Sequence, residues 1–139
     1  MSAVLPIKSL MTASPTTIDG SEPIENAQKI MSDKHIRHLP VTSNGKAIGV
    51  LTDRDINLAL LANRGLSGED DLTVEDVCTL HTYTVEIDAP LDEVALHMAD
   101  EHIGSVLITE EGQLVGIFTA TDACRYLGEC LRNKLVSEG

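Results

Sequence analysis

Apolar and polar positions in this chain switch between two periods. Short β-branched runs at Thr16-Thr17-Ile18 and Tyr83-Thr84-Val85 predict strands. After the second run, Leu91, Val94, Ala95, Met98 and His102 recur at helical spacing and predict an amphipathic helix. Ser21 and Asp88 are the expected N-caps of the first helix in each half, with Pro23 and Pro90 in its first turn, where a missing N–H costs little. Two apolar runs around a turn follow: His38–Thr42 and Lys46–Leu51 about Ser43-Asn44-Gly45, then Ser105–Thr109 and Gln113–Phe118 about Glu110-Glu111-Gly112. Asn-Gly between such runs is a strong hairpin signal. Helices near 53–64 and 120–134 close the two halves. The segment 56–62 is apolar almost all round, so it needs cover on more than one side, and a second chain is one candidate.

The order β-α-β-β-α thus occurs twice, and the residues repeat with it. A shift of 67 positions superimposes residues 10–58 on 77–125 without a gap, with 12 identities in 49 pairs. They include Pro23/Pro90, Met31/Met98, His35-Ile36/His102-Ile103, Gly45/Gly112, Gly49/Gly116, Thr52/Thr119 and Asp55/Asp122. Self-similarity at a fixed period is the mark of duplicated units. The expected organisation is a first domain over 8–63, a polar linker over 64–73 and a second domain over 74–134.

Composition narrows the function. The chain has 139 residues with 10 Lys plus Arg and 22 Asp plus Glu, a net charge of −12. Phosphate backbones and anionic membranes would meet a surface of their own sign, so neither nucleic-acid polymers nor membranes are expected partners. No apolar run approaches the roughly 20 residues that span a bilayer, and the opening MSAVLPIKSL does not read as a secretory signal. Three cysteines make no disulfide framework and suit a reducing cytoplasm. Aromatics are confined to Tyr83, Phe118 and Tyr126, so a flat ligand must be held by aliphatic side chains. Charge is uneven: residues 1–70 carry seven bases and eight acids (−1), residues 71–139 three bases and fourteen acids (−11). Counter-charges for a small anion therefore lie in the first half.

Gly49-Val50-Leu51-Thr52-Asp53-Arg54-Asp55 and Gly116-Ile117-Phe118-Thr119-Ala120-Thr121-Asp122 both read G-h-h-T-x-x-D, with h apolar, and Ile36-Arg37-His38-Leu39-Pro40-Val41 lies just upstream of the first. Together with the hairpin and the tandem repeat, this resembles the CBS domain, the module named after cystathionine β-synthase. The resemblance covers nearly the whole chain. It implies a mixed α/β (α+β) fold, a stand-alone pair of CBS units packed sheet to sheet with pseudo-two-fold symmetry. It also implies two clefts that take adenosine-containing ligands: AMP, ADP or ATP first, NAD or S-adenosylmethionine behind them. By that resemblance Asp55 and Asp122 contact ribose, Thr52 and Thr119 ribose or phosphate, and Arg37, His38, Pro40, Arg54 and Ser105 border the phosphate side. Thr17 and Thr84 then border adenine. No catalytic residue, metal site or required cofactor is expected, and the implied role is a regulatory sensor, a homodimer acting on a regulated protein.

Elementary chemistry agrees. A carboxylate accepts from two vicinal hydroxyls. A helix start offers N–H groups to phosphate, and Arg37 can fork onto phosphate oxygens. T-x-x-D is also a capping box, and both roles can coexist. His35 and His102 fall at helix ends, where a dipole role is expected rather than ligation. Cys124 and Cys130, six apart, face different sides of a helix, and Cys78 matches Met11 in the repeat, which points to packing. The alternatives are a ligand-free dimerising adaptor, favoured if Asp55 is tied up by Arg37 or Arg54, and a small enzyme, for which no motif supplies a centre. In the second repeat Gly104, Ser105 and Thr121 replace Arg37, His38 and Arg54, so a phosphorylated ligand is expected to prefer the Asp55 side.

Overall fold

The computed structural model describes residues 5–62 and 72–138, with the side chains of the last helix described to residue 133. The expected linker, 64–73, lies outside the described residues apart from Leu72 and Thr73. The fold is mixed α/β, and the chain divides into two compact units, Pro15–Thr82 and Met1–Ser14 with Tyr83–Gly139.

In the unit built on Pro15–Thr82, strand β2 (Ile18–Asp19) leads to helix α1 (Ile24–Lys34), then to the hairpin of β3 (His38–Ser43) and β4 (Lys46–Thr52), then to helix α2 (Asp53–Ala62). A short helix α3 (Val74–Val77) and strand β5 (Thr79–Leu80) complete it. The sheet order is β2-β3-β4-β5, with β2 parallel to β3 and the other pairs antiparallel. The other unit opens with a 3-10 turn at Ile7–Ser9 and strand β1 (Thr12–Ala13). It continues through β6 (Thr84–Glu86), α4 (Leu91–Glu101), β7 (Ser105–Glu110), β8 (Gln113–Thr119) and α5 (Ala120–Glu138), with sheet order β1-β8-β7-β6. Each repeat's opening strand, β1 or β5, therefore joins the sheet of the other repeat. The sequence repeat and the folded unit are out of phase by one edge strand.

Each core lies between one face of a sheet and its helices. Leu39, Val41 and Leu51 pack with Ile18, Ala27, Met31, Ile56 and Val74 in one unit. Val106, Ile108 and Phe118 pack with Ile7, Leu91, Val94 and Met98 in the other. Alternation along a strand sends the neighbouring residues to the opposite face. Pro40 pairs with Val50 and His38 with Thr52, so these four share that second face. Ser105, Leu107, Ile117 and Thr119 share it in the other unit.

Several local expectations change. Ser21 caps no helix: its N–H and hydroxyl both donate to Asp19 (2.9 and 2.6 Å), and the N-caps are Pro23 and Pro90, with no side-chain cap bond. The Ser21 donors hold the Asp19 carboxyl below its ordinary value. His35 and His102 do stand at helix ends, but as left-handed caps with φ of 55° and 57°. Histidine is among the few non-glycine residues that enter this region readily. The following Ile36 and Ile103 then bond back to Met31 and Met98 (3.0 and 2.8 Å). Strands expected over 16–18 and 83–85 lie at Ile18–Asp19 and Thr84–Glu86. Proline explains the remaining difference between the copies. Leu107 donates its N–H to the Tyr83 carbonyl (3.0 Å), but its counterpart Pro40 has no N–H to give. The first copy's strand therefore opens one residue later in register. The hairpin loops shrink to two residues, Asn44-Gly45 and Glu111-Gly112, all with positive φ, as a two-residue hairpin turn with the right twist demands.

Gly49 and Gly116 both answer to an edge strand, but differently. A Cβ on Gly49 would strike the backbone carbonyl of Thr79, whereas one on Gly116 would strike the flexible Met11 side chain. Backbone cannot yield as a thioether chain can. Gly49→Ala should therefore lower urea stability by about 1–3 kcal/mol, and Gly116→Ala by less. Equal midpoints for the two variants would contradict this packing.

Candidate functional site

The junction between the second hairpin strand and the helix after it is built the same way in both units. In the first, the Thr52 N–H donates to Asp55 Oδ2 (3.1 Å) and the Asp55 N–H donates to Thr52 Oγ1 (3.0 Å). In the second, the Thr119 N–H and hydroxyl donate to Asp122 Oδ2 (3.0 and 3.1 Å), and the Asp122 N–H donates to Thr119 Oγ1 (3.3 Å). The reciprocal bonds fix the strand's exit angle and hold the aspartate side chain at the sheet's end. The loop before the hairpin is tied to the same point. The Asp53 N–H donates to the Arg37 carbonyl (3.3 Å), and the Ala120 N–H to the Gly104 carbonyl (3.0 Å).

These bonds bring Arg37, His38, Thr52, Arg54 and Asp55 to one end of the sheet. Pro40 lies two residues along on the same face as His38 and Thr52. Thr17 immediately precedes the Ile18–Val41 pair, alongside Pro40. In the other unit Ser105 pairs with Thr119 above Asp122, and Thr84 pairs with Leu107 one strand across. Ser105 is buried, and Thr17, Thr84, Arg37 and Arg54 are exposed. The candidate polar groups therefore stand on or beside the sheet face turned away from each unit's own helices.

The expected supply of free helix N–H groups is corrected in the first unit. Asp53, Arg54 and Asp55 donate to the Arg37 carbonyl, to Asp53 Oδ1 (2.9 Å) and to Thr52 Oγ1 respectively. An anion there must rely on side chains. Arg37 and Arg54 are suited to that: neither guanidinium forms an ion pair among the described residues. Asp55 forms none either, so the self-paired arrangement that would favour an adaptor is not found there. The second unit differs in a way the motif alone did not reveal. Arg125 Nη1 lies 3.6 Å from Asp122 Oδ1. Its i, i+3 spacing from Asp122 was the available signal, but its repeat counterpart is Leu58, so matching the copies passes over it. Among the described residues there is no cluster of three or more metal-type ligands, and no helix is long and apolar enough to cross a membrane. Cys124 and Cys130 are free and exposed.

Cys78 packs against the first core. Burial first, then the negative charges of Asp55 and Glu75, push its thiol pKa up. A raised value favours the neutral thiol in the fold. That contribution is complete below the ordinary thiol value of about 8.5 and is lost as pH climbs through the higher folded value. At pH 8 iodoacetamide should therefore alkylate Cys78 more slowly than Cys124 or Cys130, and Asp55→Asn should speed Cys78 at fixed pH. A Cys78 rate that ignores Asp55→Asn would contradict the electrostatic proximity of the two residues.

Comparison with known proteins agrees with this geometry. The family model "CBS domain" matches residues 7–62 and 74–129. The crystal structure of AcuB from Vibrio cholerae has a TM-score of 0.81 at 25% identity, covering 99% of this chain and 98% of that one. The CBS domain pair of protein MJ0100, crystallised with 5-methylthioadenosine and S-adenosyl-L-methionine, also gives 0.81, at 30% identity over 91% of this chain and 98% of that one. The CBS domain-containing protein YhcV of Bacillus subtilis is 29% identical over 84% of this chain and 81% of its own length. Enzymes also match, but this chain spans only about a quarter of their length (23–24% for the first three), and the match is to their CBS portion. With both halves matched and the duplicated motif in place, the chain belongs to the CBS-domain family as a tandem pair.

Proposed function

We propose that this CBS pair is a non-catalytic regulatory module of the cytoplasm that binds an adenosine-containing ligand through Asp55 and Asp122. The observation that carries this reading is the state of the two aspartates. Each spends one carboxylate oxygen on the threonine N–H and keeps its side chain at the end of the sheet. The remaining oxygen can accept from a ribose diol. MJ0100, 30% identical, was crystallised with two ligands that share the adenosine group, which supports the same class here. Thr52 and Thr119 position the carboxylates. The sheet faces beside the two junctions are aliphatic, with Pro40 and Val50 in one unit and Leu107 and Ile117 in the other, though all four side chains are buried.

Charge favours a nucleotide over a nucleoside at Asp55. Arg37 and Arg54 stand at the same end of that sheet, neither in an ion pair among the described residues, and charge-assisted bonds are roughly twice as strong as neutral ones. The matching positions on the Asp122 side are Gly104, Ser105 and Thr121, and Arg125 there is already paired with the aspartate, so the Asp55 side is the better seat for a phosphate. AMP, ADP and ATP are thus the first candidates for the Asp55 side. Exposed Leu58 and Leu61 on α2 and Leu127 and Leu131 on α5 favour a second reading in part: pairing with another copy, with or without ligand.

Calorimetry with AMP, ADP, ATP, NAD and S-adenosylmethionine tests both. Asp55→Ala should weaken the best nucleotide by about ten- to a hundredfold, the cost of a hydrogen bond to a charged group, and Asp122→Ala should weaken it less. A ligand at 100 times its Kd should add about 2.7 kcal/mol of stability. A dimer by light scattering that binds none of the five would leave the adaptor as the function. Loss of nucleotide binding on Asp122→Ala alone would reverse the charge argument.

A further inference from the structure

We infer that Arg125 is a built-in competitor for the ribose seat of the second unit, so that one side chain sets the two aspartates apart as ligand sites. The inference rests on the reading of Asp55 and Asp122 as ribose contacts.

Both aspartates commit Oδ2 to the threonine N–H, and in the second unit to the threonine hydroxyl as well. What remains for a diol is Oδ1. In the first unit, Asp55 Oδ1 has no hydrogen-bond or ion-pair partner among the described residues, and the residue three positions on, Leu58, has nothing to donate. In the second unit the same position is Arg125, and its guanidinium already lies 3.6 Å from Asp122 Oδ1. The Asp122 side chain is only 13% exposed, so few directions are open to it, while the Arg125 side chain is 65% exposed and anchored from the solvent side. A ribose diol must displace that guanidinium or share a carboxylate whose other oxygen already accepts twice. An uncharged nucleoside gives the released arginine nothing in return. A ligand with an anionic group gives it a new partner. Arg125 therefore selects against uncharged adenosine-type ligands at Asp122 and softens that selection for charged ones.

An ion pair whose arginine is largely exposed is weak and screened by salt, which fixes the size and sign of the effect. Adenosine is the uncharged probe, and Asp55→Ala isolates the second seat. In that background, Arg125→Leu, which installs the side chain found at the matching position of the first repeat, should tighten adenosine about two- to fivefold. Raising salt should tighten adenosine in Asp55→Ala and have no such effect once Arg125 is gone. Arg125→Gln, which removes the charge but keeps a good helix former, should act in the same direction if Arg125→Leu folds poorly. AMP should gain less than adenosine from either change. Unchanged or weaker adenosine binding in both Arg125 variants overturns the inference while leaving the proposed function standing. A wild-type protein that binds neither adenosine nor any of AMP, ADP, ATP, NAD and S-adenosylmethionine overturns both.

Discussion

In each unit a threonine and an aspartate three residues apart hold each other's backbone, and the arrangement of polar groups at the sheet's end follows from that pair. The reciprocal bonds stop the second hairpin strand, start the following helix and fix one carboxylate at the sheet's end. A capping box is worth on the order of 1 kcal/mol to a helix, so such a pair has a sufficient structural reason to exist. It does not exhaust the carboxylate, because capping uses one oxygen and leaves the other. Under the proposed function, stability and binding would share a residue without competing for the same lone pairs.

The rest of each unit keeps this junction in place. The preceding loop is pinned to the helix start through the Arg37 and Gly104 carbonyls, so Arg37 in the first copy stands at the same end of the sheet as the aspartate. The hairpin carries His38, Pro40, Val50 and Thr52 to one face while Leu39, Val41 and Leu51 anchor the other in the core. The edge strand from the opposite repeat closes each sheet, and Gly49 admits it because no side chain fits beneath the Thr79 carbonyl. Differences between the copies lie where the scaffold does not need them: Asp53 or Ala120, Arg54 or Thr121, Leu58 or Arg125. Duplication thus preserves the frame and lets two similar junctions diverge in charge.

Much of this was legible in the sequence. The alternating runs, the Asn-Gly turn and the 67-residue offset give the hairpins and the helices, because periodicity reports which faces are buried. The T-x-x-D spacing gives the reciprocal bonds, because one helical turn brings those two residues together. What stayed hidden depends on contacts without a period. A two-residue strand such as Thr12–Ala13 does not announce which sheet it joins. Ser21 looked like an N-cap, but Asp19, two residues away, claims its donors. The histidines at the helix ends suggest a role through their charge, whereas their left-handed backbone conformation is what the helices use. Arg125 lies outside the motif, and comparison of the copies hides it behind Leu58.

Chemical-shift mapping bears most directly on the claim that the Thr–Asp junctions are the ligand seats. Amide spectra of the whole chain titrated with AMP should show the largest perturbations at Thr52, Arg54 and Asp55, then at Thr119 and Asp122, with the outer faces of α2 and α5 little changed. Perturbations confined to the exposed leucines of those helices, or none at millimolar AMP, would contradict it.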